Sequence, residues 1–398
     1  MITLYDLRQN QSEDLISKLT QHYNQPLNVI RFGDQDIRKC IGCWDCWLKT
    51  PGICVMKDPM SEHYRDYVNS EKVILLFDTA QGFLNHQAKA FLDRTIPHYH
   101  PYIELVDGEC HHKARYDTYP DMIFYFDSKN FTEEEDQVTE DYCYRTAYHF
   151  KSNAYRISDE EVFSVSRLAH REAKIGQVEN GRTEPMDKLI IYHGSLRQKS
   201  NTTIILNRVQ EVLKDKVEVR YLKETQHWER WADSFQSDEH VMFFMPLYVH
   251  AMPSHVKQFM EMLPASKGTI SFFVQSGFPE SSQSHYLKAH VEQLSKRLGR
   301  VYLGTAIKGG MEGLQSRPPQ GQIGMLNPIV ALIEQLIETG TLNEVLVQKL
   351  SMPIRFNKPT IIAFNLFAYK LLNAFWNSFL KSNQAYDRRF DQPYKKLQ

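Results

Sequence analysis

With 398 residues the chain is long enough for two domains that each bury a full core. Its 47 Lys plus Arg nearly balance 48 Asp plus Glu, leaving a formal net charge of -1 and no overall field to favour nucleic acid or an anionic membrane. The first residues, Met1-Ile2-Thr3-Leu4-Tyr5-Asp6, carry neither a basic region nor a signal-type apolar run, which points to a cytoplasmic rather than a secreted protein.

Residues 2–5 read as a strand, 12–23 as a helix, 27–32, 73–77 and 122–126 as further strands, and 134–150 and 160–173 as helices. Strands alternating with helical stretches imply a parallel sheet covered on both faces, so residues 1–180 are expected to form a first α/β domain. The loop after its first strand, Asp6-Leu7-Arg8-Gln9-Asn10-Gln11-Ser12-Glu13-Asp14, places two carboxylates where the helix begins. Acids suit a helix N-terminus but repel a phosphate dianion.

Four of the six cysteines crowd between Cys40 and Cys54, with Cys110 and Cys143 apart. In a reducing compartment such clustering points to metal or redox use rather than a disulfide framework. Cys40, Cys43, Cys46 and Cys54 have the spacing of a compact iron–sulfur ligand set; packed free thiols or redox-active cysteines satisfy the same residues. Zinc fits less well, because the spacing is not that of paired knuckles. Cys110, His111 and His112 are adjacent, so their side chains diverge, and a structural or cofactor-adjacent role suits them better than one shared ion.

A polar stretch over 176–185 marks the expected boundary, leaving 187–398 as a second domain with a helical extension at its end. Leu189-Ile190-Ile191-Tyr192-His193 reads as a buried strand, Gly194-Ser195-Leu196-Arg197-Gln198-Lys199-Ser200-Asn201-Thr202 as a turn into a helix, and Ile205, Val209, Val212 and Leu213 as that helix's apolar stripe. Ser200, Asn201 and Thr202 sit at the helix start, where side chains and unpaired amides can face one anion, and Arg197 adds a fork of donors. An ordinary capped helix uses the same residues. Residues 241–245 form an apolar strand leading into Pro246-Leu247-Tyr248-Val249-His250-Ala251; residues 270–274 form another, ending in Gln275-Ser276-Gly277. Past a strand at 301–306, Gly309-Gly310-Met311-Glu312-Gly313 is either a flexible turn or a wall of a cleft at the strand ends. The apolar segment 359–380 is interrupted by Asn365, Lys370, Asn373 and Asn377, which argues against a membrane span. It reads as a helix packed on the body or on a partner subunit, an arrangement that allows a homo-oligomer, with an interfacial helix as the alternative.

Setting Val73 against Val241 without gaps brings Lys89 onto Lys257, Phe91 onto Phe259 and Asp93 onto Glu261, as if the two halves were copies. The second half resembles the flavodoxin-like NAD(P)H-dependent FMN reductases: its phosphate-loop pattern and the two loops at 246–254 and 275–280 come in that family's order. The Cys40 to Cys54 segment resembles the related iron–sulfur flavoproteins, although Trp44, Trp47, Thr50, Pro51 and Gly52 look more like a branch without a cluster. The resemblance implies two fused flavodoxin-like domains, each a doubly wound parallel sheet with helices on both faces. It implies FMN on the second domain, its phosphate at Ser195, Arg197, Ser200, Asn201 and Thr202. The ring would lie against Pro246, Leu247, Tyr248, Val249 and Ala251 on one side and Ser276 and Gly277 on the other. The first domain would hold no FMN of its own. The implied activity is hydride transfer from NAD(P)H to FMN and on to a small acceptor such as a quinone or free flavin. No catalytic side chain is assigned, since the flavin carries the chemistry. The alternative is an FMN electron carrier or redox sensor without rapid turnover, with or without an iron–sulfur cluster. Gly-x-Ser-x-Gly and Gly-x-Gly-x-x-Gly are both absent, which disfavours a hydrolase and a separate dinucleotide fold.

Overall fold

The computed structural model describes residues 1–398 except 10–12, 34, 36, 160, 177, 178, 198, 365, 367, 368, 397 and 398, and omits the side chains of 369–372. The chain divides into two compact units, Met1–Glu172 with Asn357–Gln398, and Ala173–Phe356.

Unit 1 runs β1 (Ile2–Asp6), α1 (Glu13–Tyr23), β2 (Asn28–Arg31), α2 (Asp45–Leu48), α3 (Tyr64–Val68), β3 (Lys72–Phe77), the short β4 (Thr79–Ala80) and β5 (Phe83–Leu84), and α4 (His86–Asp93). A hairpin of β6 (Tyr99–Val106) and β7 (Glu109–Ala114) follows, then β8 (Asp121–Phe126), α5 (Glu133–His149), β9 (Ala154–Ile157) and β10 (Val165–Arg167). Unit 2 runs β11 (Leu189–His193), α6 (Asn201–Leu213), β12 (Val217–Tyr221), α7 (Trp228–Ser234), β13 (His240–Pro246), α8 (Ser254–Glu261), β14 (Thr269–Gln275), α9 (His285–Arg297), β15 (Val301–Lys308), α10 (Pro319–Thr339) and α11 (Glu344–Ser351). The tail returns to unit 1 as α12 (Lys358–Ala363) and α13 (Tyr369–Ser382).

The sheet of unit 2 has the order β12-β11-β13-β14-β15, all parallel. Within unit 1 the order β2-β1-β3-β8-β9 repeats that pattern in parallel pairing, and β10 adds an antiparallel edge. Numbered within each unit this is 2-1-3-4-5, the flavodoxin-like doubly wound order. Successive residues of a strand feed opposite faces. Leu189, Ile191, Met242 and Phe244 join the core under α6 and α10. Ile190, Tyr192, Val241, Phe243 and Met245 join the core under α7, α8 and α9. Burial on both faces is what makes these strands continuous apolar runs rather than alternating ones.

Three segments differ from the sequence reading. Residues 160–173 form no helix where described: Val165, Ser166 and Arg167 pair antiparallel with Ile157, Arg156 and Tyr155, and the Ser158 hydroxyl holds the connecting turn through the Ser164 amide at 2.8 Å. Glu160, the first residue of that expected helix, lies outside the described residues. Of the polar stretch at 176–185, Gln177 and Val178 lie outside the described residues; the rest is bound to unit 2 through Gly181 N–H to Tyr302 O (2.6 Å) and Thr183 N–H to Gly340 O (3.1 Å). A polar composition here reflects an extended strap with backbone partners. The tail, expected with the second domain, joins unit 1. Trp376 is 4% exposed and meets Trp44 and Trp47 edge-on at 5.7 and 5.9 Å, and Tyr102 donates to Asn377 Oδ1 at 2.6 Å. Asn365 lies outside the described residues. Among the described residues no helix is long and apolar enough to cross a membrane.

Candidate functional site

Every loop singled out in the second half leaves the C-terminal end of a parallel strand, the edge at which open α/β sheets bind ligands. The loops after β11 and β13 flank the position where the strand order reverses.

The loop after β11 is held by a short network. His193 ends β11; its Nδ1 accepts from the Ser195 amide at 3.2 Å and its Nε2 lies 3.0 Å from Thr203 Oγ1, which is 2.9 Å from Ser200 Oγ. Burial pushes this imidazole down to about 4, so it is neutral and supports the loop as a hydrogen-bonding spacer. Ser200 caps α6 by accepting from the Thr203 amide at 3.0 Å, and Ser195 Oγ accepts from the Arg197 amide at 3.3 Å. The first-turn amides of Asn201 and Thr202 have no intrahelical carbonyl to reach, which leaves them suited to an anion. Gly194 is required by packing: a Cβ there would meet Met245 Cβ at 2.7 Å and Val256 Cγ2 at 3.0 Å.

Two expected phosphate ligands have other duties. Asn201 donates from Nδ2 to Met311 O at 2.6 Å and accepts from Gln315 Nε2 at 3.0 Å, clamping the loop after β15. Thr202 is buried and accepts from Gln275 Nε2 at 3.3 Å. Gln198 lies outside the described residues.

The loop after β13 closes on itself. Tyr248 and Ala251 exchange amide-to-carbonyl hydrogen bonds at 2.9 and 3.0 Å, and Val249 and His250 between them have φ of 42° and 58°. Such a tight turn favours Asn-Gly, and a β-branched residue in the left-handed region costs on the order of 1 to 3 kcal/mol. Strain of this kind collects at ligand-binding positions. Pro246 completes β13 and the Leu247 amide donates to Gln275 O at 2.8 Å, which ties the loop after β13 to the end of β14. Ser276 and Gly277 follow, bridged to β15 by Ser276 N–H to Lys308 O and Met311 N–H to Ser276 O, both 3.0 Å.

The sequence marked the segment 309–313 as a turn or a cleft wall without singling out Glu312, whose carboxyl stands among these loops. A Cβ on Gly277 would lie 2.5 Å from Glu312 Oε2, while Oε1 is sealed from solvent without a hydrogen-bond partner. Burial raises this carboxyl to about 7, and the Arg197 charge opposes the rise. His193 was missed as well; its one signal was a polar residue closing an apolar strand.

In unit 1 the corresponding loop is occupied from within. Asp6, at the end of β1, grips Arg8 through two contacts of 2.9 and 2.8 Å, and the Gln9 amide donates to Asp78 Oδ2 at 2.8 Å. Glu13 and Asp14 stand in the first turn of α1 as expected, and Glu13 pairs with Arg31 at 2.6 Å. Residues 10–12 lie outside the described set.

The four clustered cysteines are all free thiols, and among the described residues no group of three or more His, Cys, Asp or Glu side chains is placed to hold a metal. Burial pushes Cys40 up to about 12 and raises Cys43 and Cys46 too, which keeps these thiols protonated. The segment is shaped by packing. Gly52, at φ 85°, lets Pro393 approach to within 2.8 Å of where a Cβ would stand, and Cys46 is buried with Trp47, Leu48 and Trp376. Cys110, His111 and His112 lie on β7, where His111 stacks on His149 at 4.4 Å and His112 meets Trp47 at 4.6 Å with the rings tilted.

No protein-family model matches the chain and no curated protein matches it. Among solved structures it is similar to the Trp repressor binding protein from Bacillus subtilis, with 15% identity over 38% of this chain and 97% of that one and a TM-score of 0.30. An NADPH-quinone reductase from P. pentosaceus matches with 12% identity, 38% and 97% coverage and a TM-score of 0.28. An FMN-dependent NADH-azoreductase from Bacillus anthracis matches with 13% identity, 38% and 99% coverage and a TM-score of 0.29. Likeness at this level says nothing of what this chain binds.

Proposed function

We propose that unit 2 binds FMN at the C-terminal edge of its sheet and that the protein is an NAD(P)H-dependent flavin oxidoreductase. The observation that carries this reading is the β11–α6 loop at the reversal of strand order: a helix start capped by Ser200, whose first-turn amides of Asn201 and Thr202 have no intrahelical carbonyl to reach, with Arg197 three residues earlier in the loop. The residues fit the group, because amides and a guanidinium suit a phosphate and the neighbouring loops offer a largely apolar platform.

In this reading Ser195, Arg197, Ser200, Asn201 and Thr202 surround the phosphate, with Ser200 and Asn201 shaping the cradle more than donating to it. Pro246, Leu247, Tyr248, Val249 and Ala251 form one wall for the ring, and Ser276 and Gly277 the other. When bound, the flavin would supply hydride and electron chemistry between NAD(P)H and a small acceptor such as a quinone or free flavin. The turn at Val249 and His250 holds its wall in one geometry, and the apolar walls exclude water from the ring. Unit 1 is proposed to carry no FMN, since Asp6 already engages Arg8.

The test is an ultraviolet-visible spectrum of protein purified without oxygen, with flavin and iron assayed on one sample. Flavin near one per chain without iron is the expected result; iron near four per chain would add a cluster, and a colourless protein that takes up no FMN refutes the reading. Steady-state NADH or NADPH oxidation then separates a reductase from a carrier, whose flavin would be reduced with little multiple turnover.

A further inference from the structure

One carboxyl in unit 2 has no assigned partner for its enclosed oxygen and stands where an anion is expected to bind. Glu312 lies in the loop after β15, which is zipped to the loop after β14 by Gly310 N–H to Phe278 O (2.9 Å) and Met311 N–H to Ser276 O (3.0 Å). The same loop is clamped to the start of α6 by Asn201 and Gln315. Those contacts hold the Glu312 side chain between Gly277 and the field of Arg197, with Oε1 enclosed and unpartnered. The side chain therefore has little room to swing away to solvent.

We propose that Glu312 competes with a phosphate monoester for Arg197, so that phosphate binding at this loop is coupled to protonation of Glu312. The inference rests on the FMN reading above and deepens it. The Arg197 charge favours the ionised form of Glu312; a dianion bound at Arg197 would offset that charge and set a second acid against the buried carboxyl, which gives way by taking a proton. Other charged groups nearby do not change this balance. Lys308 closes the strand before the loop, Glu280 in the loop after β14 accepts from Gln283, and Lys199 on the loop after β11 is exposed. Arg197 is the charge that acts on Glu312.

The sign follows from linkage. With its carboxyl raised to about 7, Glu312 is mostly protonated at pH 6 and mostly ionised at pH 8. Only the protonated form accommodates the phosphate, so affinity falls as pH rises through 7, by about tenfold between pH 6 and pH 8. The ligand's own second ionisation, near pH 6, works in the opposite direction, which makes the two sources separable.

The experiment is a fluorescence titration of the full-length chain, freed of flavin, with FMN at pH 6, 7 and 8, on the native protein and Glu312→Gln. Calorimetry in two buffers of different ionisation heat at pH 7 counts the protons taken up. Native protein should bind FMN about fivefold more weakly at pH 8 than at pH 6, the tenfold effect of Glu312 being offset about twofold by the phosphate's own ionisation, and should take up somewhat less than half a proton at pH 7. Glu312→Gln should lose both effects and bind more tightly than native protein at pH 8. Equal pH profiles in the two proteins, or no proton uptake by the native one, overturn the role of Glu312 while leaving FMN binding intact. If native protein shows no saturable FMN binding at any pH, the FMN reading falls and this inference with it.

Discussion

Replacing Trp376 by alanine should open unit 1 while leaving unit 2 folded. Trp376 is 4% exposed, packs against Trp44 and Trp47, and shares a cluster with Cys46, Leu48, Tyr102 and Leu380. Truncating a buried tryptophan costs about 3 to 5 kcal/mol, because the transfer energy is lost and a cavity is left. That corresponds to a rise of about two to four orders of magnitude in the population with the tail undocked. Phenylalanine at the same place keeps one ring and should cost about 1 to 2 kcal/mol. The assay is thiol labelling against urea. All six cysteines, Cys40, Cys43, Cys46, Cys54, Cys110 and Cys143, lie in unit 1, so labelling reads that unit alone. Trp376→Ala should shift the labelling midpoint to markedly lower urea, with Trp376→Phe between it and the native chain. A midpoint within error of native would refute the placement of the tail as part of the unit 1 core.

Ser200→Glu should reduce FMN content at least about tenfold by putting a charge beside the phosphate, whereas Ser200→Ala should lose only the cap, about 1 kcal/mol, and keep its flavin; retained flavin in the glutamate variant would count against the phosphate assignment. Gly340→Ala should destabilise unit 2 by about 2 to 4 kcal/mol in urea unfolding followed by tryptophan fluorescence. Gly340 ends α10 at φ 66°, and a Cβ there would sit 1.8 Å from Thr183 O; a neutral substitution would mean that the segment at Thr183 and Glu184 is not docked. Acid should weaken unit 1 from about pH 6.5 downward. Burial, with the Arg115 charge behind it, pushes His98 down to about 3, so the unfolded chain takes a proton there that the folded one refuses. Stability attached to this group is present above pH 6.5 and is lost as pH falls toward 3, at up to about 1.4 kcal/mol per pH unit. His98→Phe should flatten that slope in unfolding measured at pH 7, 6, 5 and 4; an unchanged slope would show that His98 is not the group responsible.

The central sheet strands were legible because their signal is local and redundant, whereas β9 and the edge strand β12, which are only partly buried, were not read from the sequence. Ile190, Tyr192, Val241 and Phe243 feed one core, Leu189, Ile191, Met242 and Phe244 the other, and a strand buried on both sides can be read from its own residues. The β9–β10 edge was misread because one face of a short hairpin is solvated and its Val162, Phe163 and Val165 mimic a helical stripe. The tail was legible as helix but not in its destination, since the partners of Trp376 are Trp44 and Trp47, more than three hundred residues away. Glu312 escaped notice for the same reason: a lone acid in a glycine-rich loop has no pattern, and its meaning comes from folding against Gly277 and Arg197.

The two units set one topology against two loop chemistries, and the last residue of the first strand separates them. In unit 1 that residue is Asp6, fully buried, and its carboxylate takes both ends of the Arg8 fork. A phosphate arriving there would have to displace a buried, bidentate ion pair, leaving Asp6 as an uncompensated charge at a cost of several kcal/mol. In unit 2 the equivalent place holds His193, kept neutral by burial, and its ring is spent on the Ser195 amide and the Thr203 hydroxyl. The acid on which the Arg197 charge acts comes instead from the loop after β15, as Glu312, raised by burial to about 7. An arginine fixed by an ionised strand-end aspartate is a structural brace. One opposed by a carboxyl that can be neutralised near physiological pH can be handed to an incoming anion, and that difference is why the flavin is proposed on unit 2.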